Sequence, residues 1–424
     1  MKNAEQRLAG VGIYVPDILI PRPDIALDKW ATIACDQFTQ DPGYWDSVRD
    51  YVGSEPSTFH LIYPEAFFGR TDREASIRQI HGTMQDYMHL FAPAHHGCVY
   101  LERETRYQPR RRGLVVCIDL EHYDWKTNRL IRTTEYTIQE RLPVRAAIRR
   151  GAPLELSHVI VLIDDPDDTL LPYVAKQCSA SRTFYETKLG IPMVPAGSVR
   201  AWLLDSPHVW HIIADYFEKA LEKNAFWGAV GDGNHSLASA KLVWEECKKS
   251  GATDGASRYA LVEIENIHDD GVHFEPIHRL IYGVDSDTVI EALTALTGFR
   301  CRPVEDCAEL PSLINSRSDG LTRLGIVSGS RGFLVETESE ALITTSLQPV
   351  LDTLIQRQPG TTLDYIHGDA ELLKASADAV GILLPPIQKT GFFHTIASHG
   401  ILPRKSFSMG EAAEKRFYIE CRAL

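Results

Sequence analysis

The chain is short of the signatures that classify many proteins at once. Its eight cysteines are scattered over 424 residues, and no two form a CxxC pair. Zinc ribbons and thioredoxin-like redox sites need that spacing. Reduced, mostly buried thiols are therefore expected, and Cys301 and Cys307, the nearest pair, are not read as a disulfide. GxSxG, HExxH and GxxxxGK[ST] are also missing, which removes the hydrolase elbow, the zincin helix and the Walker phosphate loop. No apolar run reaches membrane-spanning length. Residues 1–12 hold no apolar core of signal-peptide length. The expectation is a cytoplasmic protein with no membrane partner. A basic surplus is lacking too: 44 Lys and Arg face 57 Asp and Glu, a formal charge of -13. DNA and anionic lipid both require a basic face, so no direct nucleic-acid partner is expected.

What is present suits a sizeable globular core, at 44% hydrophobic residues. There is no internal repeat or low-complexity stretch. Three approximate segments are read, 1–150, 151–284 and 285–424, which can pack as one unit. In the first, Trp30–Cys35 reads as a buried strand, and Thr71 with Glu74 as a capping box opening a helix. His122–Asn128 reads as a hairpin turn, and Gln139–Arg150 as a helix. In the second, His158–Ile163 is a strand and His208–Lys223 an amphipathic helix. In the third, Leu324–Val327 and Gly332–Val335 form an antiparallel pair, and Thr361–Gly381 is mostly helical. Strands and helices intermix, which predicts an α+β fold of mixed sheets with flanking helices.

The most informative stretch is Phe226–Lys249. An apolar strand, Phe226–Val230, meets a polar turn, Gly231-Asp232-Gly233-Asn234-His235-Ser236, and then an amphipathic helix. Glycines let backbone approach a ligand closely. The first N–H groups of a helix have no partner within it, and the dipole adds positive potential there. Such a corner can cradle phosphate. Gly231, Gly233, Asn234 and Ser236 would line it, His235 would donate to the phosphate, and Asp232 would hold Mg²⁺ or accept a proton. The same sequence is also an ordinary turn, with Ser236 an ordinary N-cap.

Four ordered motifs resemble the bacterial domain-of-unknown-function family 1015. They are Asp28–Thr39 (DKWATIACDQFT), Gly231–Ser236, Phe274–Arg279 (FEPIHR) and Leu402–Glu411 (LPRKSFSMGE). The Asp-Gly-x-His turn is similar to that of ParB-like proteins, free serine kinases and sulfiredoxin. The resemblance implies a ParB/sulfiredoxin-like strand–turn–helix core and a bound nucleotide: CTP in ParB proteins, ATP in sulfiredoxin, and a phosphate donor in the kinases. Asp232, Gly233 and His235 match. Many relatives have arginine after the histidine, where this chain has Ser236. The kinases' catalytic glutamate has no evident counterpart here.

Other candidates lie outside the turn. Asp36, just past a buried strand, and Glu135, in Thr134–Thr137, are candidate bases; each can equally be a turn or ion-pair residue. Arg279, Arg404 and Lys405 are candidate phosphate ligands, the first able to clamp bidentately. The run Glu414-Lys415-Arg416 reads as an exposed helix face, and Arg110–Arg112 as a solvated or ion-paired surface. Nothing local marks Cys35 as a stabilised thiolate.

These readings converge on a phosphotransferase that uses ATP, ADP or CTP, with Mg²⁺ a candidate cofactor, to phosphorylate a small hydroxyl compound such as a free amino acid. Two alternatives stay open: a nucleotide-binding regulatory switch without transfer, and a hydrolase or lyase of a phosphorylated metabolite. An oligomer is compatible with all three.

Overall fold

The computed structural model describes residues 2–39, 41–105, 108–178, 182–296, 298–316, 320–338 and 342–424, and the side chain of Arg141 lies outside the description. The chain falls into two compact units. One comprises Met1–Val272 and Glu411–Leu424, and the other His273–Gly410. The three segments read from sequence are not the compact bodies. Strands from before and after residue 150 share one sheet, so segments 1–150 and 151–284 cannot separate.

Among the described residues, that sheet has ten strands. In chain order they are β1 (Ile13–Tyr14), β2 (Cys98–Glu104), β3 (Arg111–Asp119), β4 (Tyr123–Asp124), β5 (Ile131–Arg132), β6 (Ile160–Ile163), β7 (Tyr185–Ile191), β8 (Val194–Leu204), β9 (Gly228–Asp232) and β10 (Tyr259–Asn266). Their spatial order is β7-β8-β2-β3-β10-β6-β9-β5-β4, with β1 on β3. The sheet is mixed: β10 runs parallel to β6, whereas β6 and β9 are antiparallel. Both faces are covered. Side chains alternate along a strand, so Leu114, Val116 and Ile118 of β3 join one apolar cluster while Val115 and Cys117 join the other.

Among the helices that pack around the turn or flank the sheet that carries it are α1 (Arg73–Tyr87), α2 (Leu142–Arg149), α3 (Pro207–Lys223) and α4 (Asn234–Lys249). The N-cap of α1 is Asp72, whose carboxylate accepts from Ala75 N–H, rather than Thr71. Helix α3 buries Val209, Trp210, Ile213 and Phe217, and α4 buries Leu237, Ala240, Val243 and Trp244. Both follow the apolar spacing of the sequence. The expected hairpin at His122–Asn128 is absent. Strands β4 and β5 run parallel, because β5 takes its direction from β9 on its other side.

A charged cluster lies buried on this sheet. Arg103 of β2 reaches Glu265 at 2.6 Å and Glu263 at 2.5 Å, and Arg111 of β3 reaches Glu265 at 2.7 Å. Arg416 pairs with Glu263 at 3.1 Å and Glu420 at 2.9 Å. Arg112 is buried against Asp269 and Asp168. Arg111 and Arg112 are therefore interior residues, and so are Glu414, Lys415 and Arg416. Their mixed sequence looks solvated, but the matching charges come from distant strands. Burial pushes Glu265 up to about 7, and neighbouring Glu263 adds to the shift.

In the second unit, Arg300–Val304, Arg331–Thr337, Thr322–Ser328, Val380–Leu383, Phe274–Tyr282 and Thr362–His367 form a sheet in that order, with Phe407–Met409 on Phe274–Tyr282. The antiparallel pair expected around Leu324 and Gly332 is present. Thr361–Gly381 is not mainly helical. It holds an edge strand, a break at Gly368 with φ of +87°, and a helix over Asp369–Ala375 only. All eight cysteines are free.

Candidate functional site

The turn closes the junction of β9 and α4. Strand β9 extends through Asp232, so Gly231 belongs to the strand rather than the turn. It sits where the β6–β9 register slips between Ile160 and Val161, and a bulge there re-aims the residues that follow. Gly233 makes the corner at φ +76°, and an added Cβ would lie 3.0 Å from Val159 Cα. An L side chain is strained in that conformation and crowded in that space. The first turn of α4 carries no side-chain cap from Gly233.

Each polar residue of the turn has a definite contact. Asp232 Oδ1 accepts from Gly233 N–H at 2.9 Å, and its Oδ2 lies 3.4 Å from the Lys415 ammonium. Asn234 Oδ1 accepts from the Thr133 hydroxyl at 2.6 Å and from Thr134 N–H at 3.3 Å. His235 Nε2 accepts from Ile138 N–H at 3.1 Å, which places the proton of the neutral ring on Nδ1. Residues 133–138 thus strap across the helix start. Glu135 lies on this strap, half-buried, and Tyr136 beside it is 59% exposed.

Ser236 faces inward instead of capping its helix. Its Oγ accepts from Arg145 Nη1 of α2 at 2.8 Å and lies 3.3 Å from His158 Nε2. The same His158 nitrogen is 3.3 Å from Asp36 Oδ2, and His158 Nδ1 is 2.7 Å from the Tyr418 hydroxyl. Arg145 also pairs with Glu65 and approaches Asp36 at 3.7 Å. Burial favours a neutral Asp36, but the His158 imidazole and Arg145 guanidinium outweigh it and hold the carboxyl well below the usual range. Burial pushes the Cys35 thiol up to about 12, which makes it a poor nucleophile.

Asp36, Asp232, Asn234, His235 and Ser236 therefore surround one junction in the first unit, with Glu135 on the strap above it. Sequence reasoning missed Arg145, His158, Lys415 and Tyr418. His158 looked like the start of an apolar strand, and Lys415 like a solvated charge, yet Lys415 is 6% exposed. Glu65, 16% exposed, was missed as well. Arg279, Arg404 and Lys405 belong to the second unit. Arg279 is fully buried there: Nε donates to Gln348 at 3.0 Å and Nη1 to Ile277 O at 2.5 Å. Its guanidinium lies 4.8 Å from the Tyr365 ring, and that of Arg404 lies 5.7 Å from the same ring. Arg404 and Lys405 are exposed, and Lys405 has φ of +59°.

Among the described residues, no group of three or more His, Cys, Asp or Glu side chains is arranged to hold a metal ion. No helix among them is long and apolar enough to cross a membrane.

The fold is a mixed α+β architecture with a strand–turn–helix core. A family model described as "Protein of unknown function (DUF1015)" matches residues 19–354, and the chain belongs to that family. No curated protein matches it. Similar solved structures include a conserved hypothetical protein from Pyrococcus furiosus, 13% identical, covering 73% of this chain and 94% of that one with a TM-score of 0.37. A free serine kinase in complex with AMP is 14% identical, covering 72% and 90% with a TM-score of 0.38. SbnI with a C-terminal truncation, from Staphylococcus aureus, is 10% identical, covering 70% and 82% with a TM-score of 0.34.

Proposed function

We propose that this protein is a nucleotide-dependent phosphotransferase acting on a small hydroxyl compound. One observation carries the reading. Ser236, on the phosphate-type turn, shares a hydrogen-bonded cluster with Asp36, which its neighbours hold ionised. A helix start suited to phosphate and a carboxylate suited to orienting a hydroxyl thus meet through His158 and Arg145.

The assigned roles follow from charge. The nucleotide's terminal phosphates rest on the Gly233–Ser236 backbone, where the dipole of α4 favours anions. Lys415, already beside Asp232, neutralises them in place of the arginine that many relatives carry after the histidine. Asp232 would be the residue to hold Mg²⁺, which would supply further charge neutralisation at the phosphates. Tyr136, exposed beside the strap, offers a face for the base. The acceptor oxygen attacks the terminal phosphorus, and the bond to the leaving nucleotide oxygen breaks with its electron pair. The acceptor's proton passes to the Asp36–His158 pair. Phosphoryl transfer asks mainly for positioning and charge neutralisation, so a strong base is not required. Glu135 is the second carboxylate to test. Arg279, Arg404 and Lys405 are assigned no step in this unit.

Calorimetric titration with ATP, ADP and CTP in Mg²⁺ tests the reading, alongside Gly233→Trp and His235→Ala. Binding by the wild type and its loss in both variants is expected. An acceptor screen with serine, threonine, homoserine and simple alcohols should then yield a phosphorylated product. Absence of binding to all three nucleotides would overturn the proposal, and tight binding without product would turn it into a nucleotide switch.

A further inference from the structure

Behind Ser236 lies a cavity of about 120 Å³ within the first unit. Its polar lining includes Arg145, Arg149, Glu155, His158, Ser236 and Tyr418, and its apolar lining Ile62, Met84, Ile148 and Leu156. A 150 Å³ engineered cavity holds benzene, so this one has room for about five heavy atoms by the same proportion. A nucleotide does not fit, whereas the body of a small acceptor does.

The charges around the cavity limit what can enter. Arg145 is engaged by Glu65 and Asp36, and Arg149 by Glu155. Glu155 also takes Arg422 at 2.5 Å. Each of these guanidinium groups already has a carboxylate partner. An ammonium or carboxylate brought inside would be buried without an opposite charge of its own, which is costly. A hydroxyl needs only hydrogen-bonding groups of the polar lining, and an aliphatic body gains from the apolar lining.

We infer that the cavity binds a small uncharged alcohol, its hydroxyl at His158 and Ser236 and its aliphatic body against Met84 and Ile148. The alcohol's role as acceptor rests on the proposed transfer reaction; its binding stands alone. A small alcohol replaces the free amino acid as the favoured acceptor class.

Ligand-observed saturation-transfer NMR tests this on the full chain, with 2-methyl-1-propanol and L-serine as probes. Wild type should give a signal with the alcohol, and serine less than a tenth of it. Ile148→Trp or Met84→Trp, which fill the cavity, should each lower the alcohol signal at least fivefold while nucleotide binding persists. Two variants guard against one failing to fold, and retained cooperative unfolding identifies a usable one. Serine matching the alcohol, no alcohol signal on wild type, or an alcohol signal unchanged in a folded filled variant would each overturn the inference. Failure of the phosphotransferase reading appears separately, as absent nucleotide binding with the alcohol signal intact.

Discussion

Replacing Lys415 with methionine is the sharpest test of the charge assignment. The substitution keeps most of the aliphatic stem and removes the ammonium. In the free protein the ammonium lies 3.4 Å from Asp232 Oδ2, a gross attraction of about 5 kcal/mol at an effective dielectric of 20. Lys415 is 6% exposed, so desolvation offsets most of that attraction. Asp232 also keeps its bond from Gly233 N–H at 2.9 Å. Removing the ammonium nevertheless leaves the largely buried Asp232 carboxylate without its cation, so a stability loss of about 3 kcal/mol is expected. Nucleotide binding should weaken as well, because a contact between a cation and phosphate is worth about 1.5–3 kcal/mol. That corresponds to a roughly 10- to 150-fold weaker Kd. Calorimetry with ATP and Mg²⁺ gives the Kd, and urea unfolding gives the stability. Lys415→Arg should recover part of the affinity. An unchanged Kd in Lys415→Met would show that the ammonium does not meet phosphate, and together with a stability loss would make it a structural residue.

Four further outcomes are expected. Asp36→Asn should leave the nucleotide Kd within about threefold and lower turnover about 10²-fold or more, as loss of a proton-handling carboxylate does; equal losses in both would mark Asp36 as structural support. Gly233→Ala forces a side chain into φ +76° against Val159, and differential scanning calorimetry should register about 1–3 kcal/mol of lost stability. Gly113→Ala places a Cβ 2.1 Å from Glu263 Oε1, so urea unfolding should show a loss of at least about 2 kcal/mol as the buried ion cluster is displaced. Glu265, raised to about 7 by burial and Glu263, binds a proton more readily folded than unfolded. Its stabilising contribution is complete below about pH 4.5 and is lost as pH rises through about 7. Glu265→Gln should flatten that part of the stability–pH curve between pH 5 and 8.

Local signals made part of this molecule readable. The spacing of Val209, Ile213 and Phe217, and the strand–turn–helix at Phe226–Lys249, survive because each is set by neighbours in sequence. Three readings failed for one common reason: the deciding partner lies far along the chain. The direction of Ile131–Arg132 is set by Gly228–Ala229, the edge strand Thr362–His367 by Phe274–Tyr282, and the burial of Arg111 by Glu265. The site divides in the same way. Gly233 and Asp36 were visible from turn chemistry and strand ends. His158, Arg145 and Tyr418 acquire their roles only through one another, and no spacing encodes that.

The last fourteen residues make the dependence on long-range contact concrete. Residues 273–410 form a separate unit, and the chain then returns to the first. Phe417–Tyr418 pairs with Thr32–Ile33, and Cys421–Ala423 with Leu154–Leu156. Arg416 and Arg422 join buried carboxylates at Glu263 and Glu155. These pairings fix the segment at both ends and carry Lys415 to Asp232 and the Tyr418 hydroxyl to His158. The returning segment lies beyond residue 354, where the family match ends, yet it supplies the cation assigned to phosphate and a polar wall of the cavity. Replacing Arg416 with leucine removes one of the guanidinium groups paired with Glu263 and loosens the anchor nearest Lys415. If the segment is a part of the site, Arg416→Leu should weaken nucleotide binding several-fold although Arg416 touches neither the turn nor the cavity. If nucleotide affinity stays at the wild-type value while the urea midpoint falls, the segment holds the fold together and Lys415 reaches Asp232 without its help.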